Sequence, residues 1–250
     1  MYDGLIEKIP WEYRVDETVR GRSWTMVRSG GRVGLAMNVP IETRPWTLPG
    51  PWEGMRLREL AEAAKSWNFA EAGLGVAAIN AFYNFPDHPP VAKALEREDA
   101  DAFTVWRDRA AGKKAAVIGR FPHLEKTLGE VCEQLLILEK RPVPGDYPDS
   151  ACEFLLSRQD LVFATGVTVI NKTLPRLLDI SRKTGLILVG PSVPLAPRLF
   201  DFGVRDLQGF VVTDPAACRS AVSETSSGCG GRPCIFDAGQ RVSLTRAGPV

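Results

Sequence analysis

From Lys113 to Ser223 the chain alternates short apolar runs with stretches of helical period, and this rhythm constrains the fold more than any other feature. The runs fall at 115–119, 135–139, 161–165, 186–190 and 207–213. Helical segments are expected after them at 123–132, 150–157, 173–182 and 215–223, with a helical turn at 196–202. Apolar runs that each feed a helix cannot pair as hairpins. They predict a parallel sheet, buried on both faces and covered by helices on each.

The first 85 residues have another rhythm. A short helix at 2–8 precedes strand-like segments near 13–20, 22–28 and 32–39. The last two are joined by Gly30-Gly31, which supplies hairpin turn chemistry. A Pro- and Trp-rich loop (43–52) carries Trp46 and Trp52, and helices are expected at 56–65 and 69–84. Strands followed by helices, without alternation, read as a small α+β unit. The run PheProAspHisProPro at 85–90 is a break, and a charged helix at 101–111 bridges to the second half. The division is therefore 1–88, a bridge at 89–112, an α/β unit at 113–223 and a tail at 224–250.

Composition removes several classes of function. Lys and Arg number 31 against 30 Asp and Glu, a net charge of +1, so no charge excess draws nucleic acid or an anionic membrane. No window approaches a membrane span, and the N-terminus lacks the apolar stretch of a secretory signal. The five cysteines, Cys132, Cys152, Cys218, Cys229 and Cys234, are odd in number and scattered, unlike a disulfide framework. A cytoplasmic protein is the expectation.

Ligands of an open parallel sheet bind beyond the carboxyl ends of its strands, so the candidates are read there. The first run ends at Gly119 and Phe121, without the GxGxxG of a dinucleotide cradle. The second ends at Glu139, 20 residues after Gly119, and leads into a proline-stiffened loop with Asp146 at its middle. The third ends at Thr165-Gly166 and continues to Asn171; the fourth ends at Gly190 and Ser192. Small hydroxyl residues and glycines beside a helix start suit an anionic group. Asn80 and Asn84 share a face of the 69–84 helix, where they either brace the contact between the halves or face a ligand. There is no GxSxG elbow, Walker A loop, HExxH or CxxC.

Several stretches in fixed order carry a family resemblance: ValIleGlyArgPhePro (117–122), the loop 139–149, ThrGlyValThrValIleAsnLysThrLeu (165–174), GlyProSerValProLeuAlaPro (190–197), LeuPheAspPheGlyVal (199–204) and ValThrAspPro (212–215). This half resembles the heavy-metal-chelation family, a Rossmann-like domain of unknown function. ArgGlyArgSerTrpThrMetVal (20–27) and GlyLeuGlyValAlaAlaIleAsnAla (73–81) resemble its partner domain, which has an enolase N-terminal-like fold. The resemblance implies an enolase-N-like α+β domain packed on a Rossmann-like doubly wound domain, with a site between them. It also implies a role in metal handling or in making a metal-binding metabolite.

The leading expectation is a small-molecule ligand in the inter-domain cleft, held by Asn80, Gly119, Phe121, Thr165, Gly166, Asn171, Gly190 and Ser192. Glu139 and Asp146 are the acid–base candidates, and the cofactor is a metal or a metal-chelating metabolite. The alternative is direct metal binding or delivery through Cys229, Cys234, His123 and cleft carboxylates. A third reading takes the Trp46–Trp52 loop as a partner surface or a lid, and a homodimer is compatible with any of these.

Overall fold

The computed structural model describes residues 1–97, 101–224 and 234–246 of the 250-residue chain. Helix α1 (Tyr2–Ile6) opens it, and β1 (Glu17–Arg20), β2 (Trp24–Ser29) and β3 (Arg32–Met37) follow as an antiparallel sheet in that order. The β2–β3 turn sits at Gly30-Gly31, with Ser29 opposite Arg32. Helix α2 (Leu57–Ala61) and a 3-10 turn (Glu62–Lys65) lead to α3 (Phe69–Tyr83).

Helix α3 explains how this half holds together. Nearly every residue from Glu71 to Tyr83 is buried, so it is a central helix rather than an amphipathic one. Asn68 caps it, accepting from the amides of Ala70 and Glu71 at 2.9 and 3.1 Å. The β3 backbone lies directly on α3: a Cβ at Gly34 would stand 2.1 Å from the Ala77 carbonyl oxygen and the Ala81 nitrogen. Glycine there is a demand of close approach, not of backbone conformation.

The second half is built on a seven-stranded sheet. Its elements are β4 (Lys114–Ile118), α6 (Leu124–Thr127), β5 (Gln134–Glu139), β6 (Tyr147–Pro148), α7 (Cys152–Leu155), β7 (Leu161–Thr165), α8 (Val167–Ile170), α9 (Leu174–Ile180), β8 (Leu186–Val189), β9 (Val204–Val212), α10 (Pro215–Ser223) and β10 (Gly239–Thr245). Two further helices, α4 (Pro89–Leu95) and α5 (Ala102–Ala110), connect the halves. The strand order is β10-β9-β8-β7-β4-β5-β6, parallel except for β10, which runs antiparallel to β9. Alternate residues of one strand serve opposite faces. Ala115 and Val117 pack with Phe103, Trp106, Leu124 and Leu128, whereas Ala116 and Ile118 pack with Val169, Ile170 and Leu174. The expected doubly wound α/β architecture, preceded by a small antiparallel-sheet unit, is what the chain forms.

Some local expectations change. The helix expected at 123–132 is one turn, Leu124–Thr127, and His123, with a left-handed φ of 63°, fixes its start. The segment at 150–157 is a short α turn between 3-10 turns, and the helix expected at 173–182 forms as α9, preceded by an additional turn, α8. The break at 85–90 contains a helix start instead, since Pro89 and Pro90 open α4, where a missing N–H costs nothing.

Both halves contribute to one hydrophobic cluster, running from Leu5, Leu57 and Ile79 to Leu138, Leu188 and Leu207. Across this junction Asn84 donates to the Val193 carbonyl at 2.8 Å and the Phe210 carbonyl at 3.3 Å, and accepts from the Leu195 amide at 2.8 Å. The Trp loop is tied down by Glu71, a buried carboxylate that accepts from the Leu48 amide at 2.8 Å and from Thr47 and Ser66. Trp46 stacks on Trp52 with ring centroids 6.0 Å apart. Among the described residues no helix is long and apolar enough to cross a membrane.

Candidate functional site

The order of the strands fixes where a ligand can enter. Strand β4 lies between β5 on one side and β7 on the other, so the chain leaves β4 in one direction and returns to build the sheet in the other. The loop after β4 leads to α6 on one face, and the loop after β7 leads to α8 and α9 on the opposite face. Diverging loops leave a crevice at that reversal. A cavity of about 1100 Å³ lies there, bounded also by β2–β3 and the segment after them.

The strand ends are shaped for close approach. Gly119 and Gly190 have φ of +98° and +110°, a left-handed conformation that favours glycine, and a Cβ at Gly119 would press 3.0 Å from the Thr165 Cγ2. A Cβ at Gly166 would meet the Val193 nitrogen at 2.7 Å. Gly119, Phe121, Glu139, Thr165, Gly166, Asn171, Gly190 and Ser192 all line the cavity. Their polar groups already have partners. Thr165 Oγ1 accepts from the Val167 amide at 3.3 Å, and Asn171 Oδ1 accepts from the Thr173 hydroxyl at 2.7 Å. Ser192 is buried and its Oγ accepts from the Met37 amide at 2.8 Å, joining β3 to the loop after β8.

Two predicted residues stand apart from the wall. Asn80 is fully buried and does not line the cavity; its amide donates to the Leu35 carbonyl at 2.7 Å and the Pro191 carbonyl at 3.4 Å. That is the bracing arrangement for both asparagines. Asp146 also lies off the wall, holding Arg120 through Oδ1 at 2.6 Å and Oδ2 at 3.2 Å. The hydrogen bond from Arg120 keeps the Asp146 carboxyl below the usual range. Glu139 is on the wall, but its carboxylate accepts from the amides of Arg120 at 2.9 Å and Lys140 at 2.7 Å. It ties the ends of β4 and β5 together.

The electrostatic character comes from residues that were not singled out. Arg176 pairs with Glu153, and Lys140 with Asp149 at 3.7 Å. The Arg141 guanidinium, by contrast, donates only to the Pro40 carbonyl, at 3.2 Å, and the Lys172 ammonium only to the Ala64 carbonyl; among the described residues neither side-chain charge has a carboxylate partner. Both line the cavity. Burial pushes the Lys172 ammonium down to about 8. Nothing in the sequence marked Lys172, since a lysine in a loop is ordinarily solvated.

The described donors do not fit a resident metal. Among the described residues no three or more His, Cys, Asp and Glu side chains converge to hold an ion. Cys132, Cys152 and Cys218 are free thiols; Cys229, half of the proposed cysteine pair, lies outside the described residues.

Comparison with known proteins agrees with this architecture. A crystal structure of a DUF364-family protein of unknown function from Desulfitobacterium hafniense DCB-2 superposes with a TM-score of 0.87 at 42% identity, over 98% of this chain and 97% of that one. A second from Pyrococcus horikoshii (PH1506), also described as of unknown function, has a TM-score of 0.79 at 22% identity over 98% of each chain, a likeness of fold. The uncharacterised protein MJ0500 of Methanocaldococcus jannaschii is 29% identical over 205 residues, 77% of this chain and 75% of its own length. The DUF4213 family model matches residues 2–83 and the DUF364 model residues 101–232, both described as "Putative heavy-metal chelation". The chain belongs to the DUF364 family.

Proposed function

We propose that the protein binds a small anionic organic molecule in the cleft, and that its family's association with heavy-metal chelation runs through that molecule. The ligand is a chelator or a precursor of one; the side chains hold the organic part and not the bare ion. The observation that carries this reading is the pair Arg141 and Lys172, two cations without carboxylate partners among the described residues, on one cavity of about 1100 Å³ at the sheet's reversal point. A pocket of that size takes a ligand of drug-like dimensions. Gly190, where a Cβ would meet nothing, leaves room for a ligand to approach backbone, and Thr165, Asn171 and Ser192 border its path. On this reading residues 1–88 act as an enolase-N-like wall and 113–223 as the Rossmann-like floor.

The test has two arms. Native and denaturing mass spectra of protein purified without added chelator report any retained molecule and the oligomeric state together. An organic mass supports the reading; a bare metal increment overturns it. Calorimetric titration with oxalate and citrate then probes the cleft directly. Loss of one charge-assisted contact is worth about 1.5–3 kcal/mol, so Arg141→Ala is expected to weaken binding roughly tenfold or more. The melting temperature should stay unchanged, because Arg141 is exposed.

A further inference from the structure

Lys172 sits between Asn171 and Thr173 in the turn joining α8 to α9, with φ of 68°. A left-handed backbone is unfavourable for a lysine and persists only where its surroundings enforce it. Among the described residues the other non-glycine position in that region is His123, and both border the same cavity. The turn directs the lysine toward the N-terminal half. Its Nζ donates to the Ala64 carbonyl and lies 4.8 Å from the centroid of the Tyr2 ring. The Tyr2 hydroxyl gives no counter-charge: it donates to the Val169 carbonyl at 2.6 Å, and burial pushes its own titration up to about 12.

A lysine drawn out of water is ordinarily paired with a carboxylate. This one is half-buried, faces a carbonyl and an aromatic ring, and lines a cavity. We infer that Lys172 is the covalent capture group of the cleft, condensing with the aldehyde or ketone carbon of an oxo-acid ligand. The inference rests on the anionic-ligand reading above and adds the ligand's reactive group. The amine lone pair attacks the carbonyl carbon, and a proton passes from nitrogen to oxygen to give a carbinolamine. Loss of that oxygen as water leaves the imine. Nothing is oxidised or reduced. Desolvated lysines serve this chemistry because more of the amine is neutral at physiological pH. With the ammonium lowered from 10.5 to about 8, the neutral fraction at pH 7 rises roughly 300-fold.

Glyoxylate with sodium cyanoborohydride tests this, because the hydride fixes any imine as an N-carboxymethyl lysine that peptide mass spectrometry locates. The expected result is modification of Lys172 at least tenfold faster than of exposed Lys183 at pH 7, slowed by oxalate. Lys172→Arg should lose that adduct while still binding oxalate in calorimetry. Should Lys172→Arg fail to fold, the ratio within the native protein decides alone. Oxalate binding with Lys172 modified no faster than Lys183 overturns the inference and leaves the anionic-ligand reading intact. Fast modification of Lys172 by both glyoxylate and acetaldehyde, with no protection by oxalate, supports the reactive amine and removes the anionic-ligand reading.

Discussion

Replacing Asn84 with alanine tests whether the junction between the halves is a fastening or a passive contact. The side chain is 2% exposed and serves three backbone groups, the carbonyls of Val193 and Phe210 and the amide of Leu195. Val193 and Leu195 are themselves fully buried, so water cannot take over without rearrangement. An orphaned buried amide costs about 1–3 kcal/mol, and each carbonyl bond lost adds about 0.5–1.5 kcal/mol. The sum is about 2–6 kcal/mol, a large share of the ~5–15 kcal/mol that holds a typical domain. For a chain of this length that corresponds to a fall in melting temperature of about 4–24 °C. Urea unfolding followed by circular dichroism gives the free energy, and scanning calorimetry the temperature. A loss below about 1 kcal/mol, with an unchanged urea slope, would refute the claim that these bonds fasten the halves.

Other perturbations reach different parts of the argument. Gly34→Ala puts a methyl group 2.1 Å from α3 backbone atoms, and its cost is expected to reach or exceed the ~3 kcal/mol upper end of overpacking; denaturant titration reads it. Burial alone raises the Glu71 carboxyl, but hydrogen bonds from Ser66, Thr47 and Leu48 outweigh this and hold it below the usual value. A depressed carboxyl stabilises the fold above its unfolded pKa, and that stability is lost as pH falls through the folded value. Glu71→Gln should therefore lower stability at pH 7 and flatten the acid limb of a stability–pH profile; an acid limb as steep as wild type would count against this role.

The parallel sheet was legible because each of its main strands is a continuous apolar run, such as Leu161–Thr165, between segments of other period. The hairpin at Gly30-Gly31 was legible through turn chemistry. The two-residue β6, Tyr147–Pro148, has too little sequence to signal anything, and α4 hid behind prolines that begin a helix as readily as they end one. Strand ends located the cleft, which is why eight of the ten proposed site residues reach its wall. Asn80 and Asp146 do not, because a polar residue's partner is set by tertiary contacts: two carbonyls in one case, Arg120 in the other. Lys172 went unmarked for the same reason, since its burial depends on Tyr2 and Ala64, far away in the chain.

The shared core bears on how the molecule can move. Enzymes that clasp their ligands between two lobes usually do so by a hinge, but here Asn80, Asn84 and Ser192 join the lobes by hydrogen bonds across a continuous apolar interior. Opening along that seam would expose the interior to water, so it would amount to partial unfolding. A ligand of the kind proposed would accordingly meet a standing mould, without the lobes parting. Its binding rates should be nearly indifferent to solvent viscosity acting on the lobes as whole bodies.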